Sequence, residues 1–317
     1  MQPPSNRIVS VAIVTAGSGN YLDKCLDSVR HQTFHGLDVM VIDNSSGHRS
    51  SKEACSKFTG VRYCASSGNF SYCDSLNKAI ELSEGQYLLC LNDDVVLQER
   101  FIEEAMRGFS AGEKVGMVSG KVLRMDARTI DSSGLFLSFS RAAKERGYGR
   151  KDCARFSKEG FVFGVNGAVA FYRREMLEDT RINGWYFDPD FHFFYEDLDI
   201  AWRANRKGWR CYYAPGAIAY HARGASVRQG RGLEKPFARR YLADSLHIDL
   251  VKNRYLSMIR NETLPGFLLH LPGIFLYDLF SWGYILIFKP RLVKKFLIVS
   301  ACIRQALERR FSRGEPR

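Results

Sequence analysis

The stretch IVSVAIVTAGSGNYLDKCLDSVRHQTFHGLDVMVID, residues 8–43, carries the pattern that decides the fold of this chain. It contains two short apolar runs rich in β-branched residues, 8–15 and 37–43, and both predict strands. The segment between them, 21–32, predicts a helix. A strand, a helix and a second strand of these lengths form a βαβ unit, whose two strands run parallel.

The same alternation continues downstream of this unit. Strands are predicted at 61–65 and 86–91, and helices at 50–58 and 71–82. Each predicted strand is short and apolar throughout, as expected when helices cover both faces of a sheet. The chain is therefore predicted to have an α/β fold, with a Rossmann-like, mostly parallel sheet flanked by helices.

Acidic residues follow two of the predicted strands. The strand at 86–91 runs into Asn92, Asp93 and Asp94, and Asp43 ends an earlier strand. Ligands of open parallel sheets bind outside the carboxyl ends of the strands. Hard oxygen ligands at this spacing suit Mg²⁺ or Mn²⁺ bound together with substrate phosphates. Asn and Asp are also common where a strand ends in a turn, so turn chemistry is the alternative.

A second acidic cluster, Glu196, Asp197 and Asp199, stands about a hundred residues further on, at the start of a predicted helix. A carboxylate in this place can cap the helix. It can also act as a general base if an acceptor hydroxyl comes within hydrogen-bonding reach. His221 closes the strand after this helix and is either a metal ligand or a histidine satisfied within the fold. Two acidic clusters at element boundaries favour an enzyme whose site is built from both.

The region between the two clusters is less regular. Residues 98–109 predict a helix and 115–140 predict short strands, whereas the polar, basic stretch 141–159 predicts a mobile loop over the site. A further strand is predicted at 161–172, within which Gly167 would let a ligand approach the backbone closely.

The composition is that of a globular protein with a core: of 317 residues, 45% are hydrophobic and 25% charged. The eight cysteines form no CxxC pair. They are therefore predicted to be reduced thiols of a cytosolic protein, and not a disulfide framework or a zinc site. The first residues, MQPPSNR, lack the apolar segment of a secretory signal.

The C-terminal part of the chain differs in character. After a predicted helix at 235–260, residues 264–288 carry only Asp278 as a full charge, and their Pro and Gly residues predict that the stretch is broken into segments. A basic helix is predicted at 291–310, and residues 289–317 hold nine Lys or Arg against two Glu. This pattern favours segments in a membrane interface, with cations at anionic headgroups. The alternatives are a helical pair packed on the rest of the fold or on a second subunit.

Seven motifs between Ile8 and Ser226 resemble, in order, those of the family 2 inverting glycosyltransferases, which have the GT-A fold. They are VSVAIVTAGSGNYLDKCLDSVRHQ, VIDNSS, NFSYCDSLNKAI, YLLCLNDDV, GVNGAVAFYRREML, FDPDFHFFYEDLDIAWRANRKGW and YHARGAS. The continuation KNRYLSMIRN and the apolar, basic tail are similar to bacterial rhamnosyltransferase-like members. The resemblance implies a GT-A catalytic domain at 1–233 and a helical, membrane-associating extension at 234–317.

The resemblance also implies an activity. One sugar would pass from a nucleotide-diphosphate sugar, a dTDP- or UDP-sugar such as dTDP-rhamnose, to a hydroxyl of a glycan or lipid-linked acceptor, at the cytoplasmic face of a membrane. The implied catalytic base is Asp197, with Glu196 and Asp199 around it. The implied ligands of Mn²⁺ or Mg²⁺ are Asp94 and His221. The implied contacts to the nucleotide are Thr15, Asp43, Asn77 and Asp93, and the implied donor and acceptor pocket includes Gly167 and Ala168.

Two other functions remain open on the sequence. A sugar nucleotidyltransferase is disfavoured because the loop AGSGN after the first strand has no cation to hold a triphosphate. A non-catalytic glycan- or membrane-binding scaffold is disfavoured by the set Asp94, Asp197 and His221. Nucleic-acid binding is not expected, because the basic residues of the tail are interleaved with apolar ones.

Overall fold

The computed structural model describes residues 8–17, 21–45, 49–66, 71–223 and 243–312. Predictions for residues outside these ranges include the absence of a secretory signal at 1–7, the end of the AGSGN loop at 18–20, the end of the last motif at 224–226, the domain boundary at 233, the start of a helix at 235 and the end of the basic tail at 313–317.

The N-terminal part of the sheet is parallel. Its elements in chain order are β1 (Val9–Thr15), α1 (Tyr21–Arg30), β2 (Leu37–Asp43), α2 (Arg49–Ser56), β3 (Arg62–Ala65), α3 (Tyr72–Leu82) and β4 (Tyr87–Asn92). β1 pairs in parallel with β2 and β4, and β2 pairs in parallel with β3. Neighbouring β1 residues such as Ala12 and Ile13 belong to different apolar cores, so both faces of the sheet are covered. The predicted βαβ alternation is confirmed.

The rest of the sheet is mixed. The elements that follow are β5 (Val95–Leu97), α4 (Phe101–Gly108), β6 (Val115–Arg124), β7 (Ile130–Ser132), β8 (Leu135–Leu137), β9 (Ala143–Glu145), β10 (Gly160–Val162), β11 (Val169–Arg173), α5 (Arg174–Asp179), α6 (Glu196–Arg206) and β12 (Arg210–His221). The strand order is β10-β12-β6-β11-β4-β1-β2-β3. β11 is antiparallel to both β4 and β6, whereas β12 is parallel to β6. The α/β prediction is confirmed, with parallel pairing confined to part of the sheet.

Two local predictions differ from the structure. The strand predicted at 161–172 is two strands, β10 and β11, separated by a turn that contains Gly167. They separate because the Gly167 N–H donates to a carboxylate oxygen 2.9 Å away and not to a neighbouring strand. The stretch predicted as a loop, 141–159, contains β9, which pairs with β8 in a hairpin, and a short 3₁₀ helix at 154–157.

Three helices end the described chain: α7 (Asp244–Asn261), α8 (Leu264–Phe288) and α9 (Arg291–Ser312). α8 is one helix along its whole length, so the prediction that Pro and Gly break this stretch into segments is wrong. Pro265 lies in the first turn, where helical N–H groups have no partner within the helix. Pro272 lies inside the helix, where it removes one backbone hydrogen bond while the helix continues past it.

α7 joins the C-terminal helices to the rest of the fold through buried polar side chains. Arg254 of α7 is 2% exposed. Its guanidinium pairs with Asp278 of α8 at 2.5 Å and donates to the Ser140 carbonyl at 2.6 Å. The opposite side of α8 is apolar and open, with Phe280 70% exposed. The extension therefore packs on the fold through α7 and exposes much of α8.

Candidate active site

A cavity of about 620 Å³ opens at the edge of the sheet where β1 and β4 end. The strand register creates this edge, because Thr15 of β1 is level with Asp43 of β2, and Val14 is level with Asn92 of β4. The start of α6, the β8–β9 hairpin and the helices α7 and α8 complete the walls. The lining includes Thr15, Asn44, Tyr72, Asn92, Asp93, Asp94, Lys144, Glu145, Asn166, Gly167, Ala168, His192, Glu196, Asp197, His221 and Arg223.

The predicted cluster at the end of β4 lies in this cavity, and its side chains are held by neighbours. Thr15 Oγ1 donates to Asp93 Oδ2 at 2.5 Å, which ties β1 to β4. The Tyr72 hydroxyl donates to Asn92 Oδ1 at 2.8 Å and also lies 3.0 Å from the Gly167 carbonyl oxygen. These hydrogen bonds hold the side chains at the end of β4 in place without a ligand.

Asp94 and His221 meet although they are far apart in sequence. β5 follows Asp94 directly and pairs antiparallel with the end of β12, which brings His221 beside it. The distance from His221 Nε2 to Asp94 Oδ1 is 3.2 Å, and that from His221 Nδ1 to Asp131 Oδ2 is 2.8 Å. Burial alone lowers the pKa of His221. The hydrogen bonds and charges of Asp131 and Asp94 outweigh burial and raise the pKa to about 9.

A divalent cation held by this pair would have to displace the proton that His221 carries between Asp131 and Asp94 at neutral pH. Asp131 occupies Nδ1 of His221 and so directs Nε2 into the cavity, which is the arrangement that a metal-binding histidine requires. Across the described residues no group of three or more His, Cys, Asp or Glu is arranged to hold a metal ion. A cation at Asp94 and His221 would therefore take its other ligands from a bound substrate and water, as Mg²⁺ commonly does.

The predicted catalytic carboxylate is held at the start of α6. Asp197 Oδ2 accepts the Gly167 N–H at 2.9 Å, and Oδ1 accepts the Leu198 N–H at 2.7 Å. A Cβ atom on Gly167 would lie 3.3 Å from Asp197 Oδ2 and 3.0 Å from Glu196 Oε1. The close approach of the backbone at Gly167 therefore orients Asp197 while the side chain remains partly open to the cavity.

The chain reaches α6 through a strained turn. His192, Phe194 and Tyr195 have φ of 60°, 70° and 71°, in the left-handed region that residues with side chains seldom adopt. Each such residue costs on the order of 1–3 kcal/mol and persists only where the surroundings hold it. Strain of this kind, directly before two carboxylates that face a cavity, is typical of a functional site.

Three carboxyl groups lie close together here: Glu196 is buried, whereas Glu145 and Asp197 are half-buried. Burial raises all three pKa values. The value is about 6 for Asp197, where backbone N–H groups favour the charged form, and about 8 for Glu145, where the charge of Asp197 adds to burial. Burial and the Asp197 charge raise the pKa of Glu196 well above its usual range. With a pKa of about 6, Asp197 is ionised at neutral pH, as a general base must be.

Asp43, a predicted nucleotide contact, is fully buried behind the cavity edge. Its Oδ1 accepts the Ser45 N–H at 2.8 Å, and its Oδ2 accepts the Tyr63 hydroxyl at 2.7 Å. The first contact is the Asx turn that the sequence offered as the alternative. Asn44, the next residue, is the one that lines the cavity.

Asn77 and Asp199 also make contacts within the fold. Asn77 Nδ2 donates to the Phe187 carbonyl at 2.6 Å, so its amide joins α3 to the segment before α6. Asp199 accepts Arg203 Nε at 2.9 Å and Asn261 Nδ2 at 2.7 Å. The structure therefore places neither side chain in the cavity lining, in contrast to Thr15, Asp93, Asp94, Gly167, Ala168, Glu196, Asp197 and His221.

Three charged residues of the cavity lining, Lys144, Glu145 and Arg223, are absent from the sequence-based site. Glu145 ends β9, accepts Asn166 Nδ2 at 2.6 Å and also accepts the Ser132 hydroxyl. Arg223 follows His221 by two residues and pairs with Asp131. Glu145 lies in a stretch without clear periodicity, so no local signal marks it. Arg223 lies only two residues after the predicted site residue His221, and this proximity in sequence could have marked it as a site residue.

The C-terminal helices add an apolar wall to the cavity. Leu246 and Leu250 of α7 and Tyr277 of α8 lie in the lining, on the side of Phe193 and Phe194. The cavity is thus polar where the strands end and apolar where the extension covers it.

The chain is similar to known proteins in sequence and in structure. Residues 4–238 match the family described as "Glycosyltransferase like family 2". An uncharacterised protein of Sinorhizobium fredii is 24% identical over 234 residues, which cover 69% of this chain and 25% of that protein. The N-acetylglucosaminyl-diphospho-decaprenol L-rhamnosyltransferase of Mycobacterium tuberculosis is 22% identical over 249 residues, which cover 69% of this chain and 78% of the enzyme.

Solved structures share the fold at low identity. Staphylococcus aureus TarS 1–349 in complex with UDP-GlcNAc aligns with a TM-score of 0.60 and 16% identity, covering 94% of this chain and 81% of TarS 1–349. The mannosyltransferase PcManGT from Pyrobaculum calidifontis, in complex with GDP-Man and Mn²⁺, aligns with a TM-score of 0.55 and 16% identity. The alignment covers 98% of this chain and 76% of PcManGT. These alignments confirm the predicted GT-A fold.

Proposed function

The chain belongs to the glycosyltransferase-like family 2, and on this premise we propose that it transfers one sugar, with inversion, from a nucleotide-diphosphate sugar to an acceptor hydroxyl. The observation that carries the proposal is Asp197. It is a carboxylate oriented by two backbone N–H groups, partly open to a cavity at the carboxyl ends of parallel strands, with a pKa of about 6. A pKa just below neutrality suits a general base at physiological pH.

In the proposed reaction Asp197 takes the proton of the acceptor hydroxyl. The hydroxyl oxygen then forms a bond to the anomeric carbon of the donor sugar, on the face opposite the diphosphate. The bond between that carbon and the diphosphate oxygen breaks, and the nucleoside diphosphate leaves with the electron pair. The raised pKa of Glu196 favours its neutral form, which leaves Asp197 as the carboxylate to receive the proton.

The donor would bind along the edge formed by β1 and β4. Thr15 and Asp93 lie where the nucleotide would enter, and Asn44 offers polar contact in place of the enclosed Asp43. Asp94 and His221 would hold Mn²⁺ or Mg²⁺. Such a cation, when bound, neutralises charge that develops on a departing diphosphate. Arg223 adds a fixed positive charge on the same side of the cavity.

The acceptor would bind on the side of Asp197 and the apolar wall. Leu246, Leu250 and Tyr277 suit an acceptor that carries a lipid near its sugar, such as a lipid-linked oligosaccharide of cell-surface polysaccharide synthesis. The donor is proposed to be a dTDP- or UDP-sugar, with dTDP-rhamnose the first to try. The name of the Mycobacterium tuberculosis relative supports rhamnose as the sugar and a lipid-linked acceptor.

Nucleotide release from a panel of UDP-, dTDP- and GDP-sugars, with Mn²⁺, Mg²⁺ or EDTA, tests the proposal. We expect slow, metal-dependent hydrolysis of one donor, and faster release when a lipid-linked glycan acceptor is added. Release of pyrophosphate from a nucleoside triphosphate and a sugar phosphate would instead identify a nucleotidyltransferase. The absence of both turnover and nucleotide binding with every donor would contradict the proposal and favour a non-catalytic scaffold.

We also propose that α8 and α9 bind the anionic, cytoplasmic surface of a membrane. Within the described ranges, α8 is the one helix long and apolar enough to cross a bilayer, a criterion that buried core helices also meet. Only 17% of its most apolar window is buried, however. Leu276 and Phe280, one turn apart, are 53% and 70% exposed. Basic residues at the start of α9 could meet lipid headgroups.

We expect the purified protein to float with vesicles that contain phosphatidylglycerol, and to float less at high salt, because salt screens attraction to headgroups. The double change Leu276→Asp and Phe280→Asp should weaken vesicle binding by about tenfold or more, since each buried side chain of this size contributes roughly 1.5–3 kcal/mol. Trp185→Asp is the matched control, because Trp185 is an exposed aromatic residue outside the C-terminal helices. Equal flotation of both variants would contradict membrane contact through α8.

A further inference from the structure

One asparagine of α7 contacts the strained turn before α6 at three points. Asn253 Nδ2 lies 2.6 Å from the carbonyl oxygen of Phe191, 2.7 Å from that of Phe193 and 2.7 Å from that of Phe194. The side chain is fully buried. The two N–H bonds of one amide therefore serve three carbonyl groups that belong to a single turn.

Two neighbours of Asn253 on α7 support the same turn. His192 Nδ1 lies 3.0 Å from Asp249 Oδ2, and Lys252 Nζ donates to the Asp190 carbonyl at 2.8 Å. His192 is itself one of the residues with positive φ. α7 thus provides the surroundings that a strained turn needs in order to persist.

The turn leads directly into the residues that hold the candidate base. Tyr195, the last residue with positive φ, precedes α6, and its carbonyl accepts the Asp199 N–H at 2.8 Å in the first turn of the helix. Asp197 and the Leu198 N–H that it accepts lie in that same first turn. A change in the path of Phe193 and Phe194 would therefore move the Asp197 carboxylate relative to Gly167.

From these contacts we propose that Asn253 is a positioning residue for Asp197: its amide holds the carbonyls of Phe191, Phe193 and Phe194 and thereby sets the direction in which the carboxylate enters the cavity. The proposal rests on the proposed function, because it assigns Asn253 a part in the reaction for which Asp197 is the base. Without the amide, the Phe193 and Phe194 carbonyls would lose this donor, and the Phe191 carbonyl would keep only the Phe193 N–H, which favours rearrangement of the turn. Misplacement of a catalytic group by about 1 Å can lower a rate by about 10²-fold.

The test compares Asn253→Leu, which keeps the approximate volume but removes both N–H donors, with Asn253→Ala. Ser257→Ala is the matched control. Ser257 is a fully buried residue of the same helix, and no described residue hydrogen-bonds its hydroxyl. We expect kcat for donor turnover to fall about 10–10²-fold in both Asn253 variants, with KM for the donor within about twofold of wild type. Ser257→Ala should retain the wild-type kcat.

A second readout is independent of activity. Hydrogen exchange of peptides that contain Gly167 and Leu198, whose N–H groups Asp197 accepts, should become about tenfold faster in the Asn253 variants and stay unchanged in Ser257→Ala. Thermal melting shows whether each variant is folded. If Asn253→Ala is unfolded, the test is made with Asn253→Leu. The proposal is overturned if exchange at these peptides is unchanged, or if kcat falls no further than in the control. If wild type turns over no donor while exchange responds as expected, the proposed function has failed and the contact between α7 and the turn stands.

Discussion

Asp197→Asn is expected to reduce sugar transfer by roughly 10²–10⁴-fold, the usual contribution of a general base. The amide has nearly the same shape as the carboxylate, and its oxygen can still accept the N–H of Gly167 or Leu198. It cannot take a proton from the acceptor hydroxyl. Nucleotide binding should change little, because the donor edge at β1 and β4 is untouched. Transfer is measured as nucleotide release with acceptor, and binding by calorimetry with the nucleoside diphosphate.

Glu196→Gln is the matched control for this change. Burial and the charge of Asp197 raise the pKa of Glu196 well above its usual range, which favours the neutral form of its side chain. Gln has the shape of this neutral form, and the loss of activity should stay within about tenfold. If Glu196→Gln is the more damaging of the two changes, or if Asp197→Asn keeps near-normal turnover, the base has been assigned to the wrong carboxyl group.

The pH profile gives a further check on the same residue. Because the pKa of Asp197 is raised to about 6, the carboxylate form is present above that pH and is lost as the pH falls through it. The kcat of the wild type should therefore fall on the acid side with a midpoint near pH 6. The residual activity of Asp197→Asn should lack this acid limb. An acid limb that persists unchanged in the variant would belong to another group.

Asp94→Ala is expected to have the second large effect, on binding of the donor with metal. Even loss of a residue that only orients a metal ligand commonly costs 10–100-fold in metal affinity. Loss of one of two protein ligands should cost at least as much, so affinity for the donor in Mn²⁺ should fall by about 10²-fold. In EDTA the variant and the wild type should bind the nucleotide similarly. Titration calorimetry with and without Mn²⁺ measures both conditions.

Two further variants serve as comparisons for Asp94→Ala, one with an intermediate expected effect and one with none. Asp131→Asn keeps the shape of the group that holds His221 Nδ1 but weakens it, so an intermediate loss is expected. Asp27→Ala removes an exposed carboxylate of α1 and should change nothing. If Asp94→Ala binds the donor in Mn²⁺ as tightly as wild type, the cation, where one is used, is held elsewhere.

Several elements were predictable because their signals are local. The apolar runs at 8–15 and 37–43 give β1 and β2, and the helix between them follows from spacing alone. Asp94 and Asp197 stand at boundaries that such patterns locate. The family resemblance depends on the same short motifs. In contrast, Gly167 was placed inside a strand, since nothing near it in sequence shows that its N–H would bind Asp197, 30 residues away.

By itself, the sequence determined the α/β alternation, the acidic residues at the ends of β4 and at the start of α6, the family and the apolar character of α8. These follow from periodicity and turn chemistry, which act over a few residues. Only the tertiary structure decided that Asp43 is enclosed, that Glu145 joins the cavity and that Asn253 supports the turn before Asp197. Asn253 contacts Phe193 across 60 residues of chain. Such contacts depend on how whole elements pack, and no local pattern encodes which buried polar group will meet which.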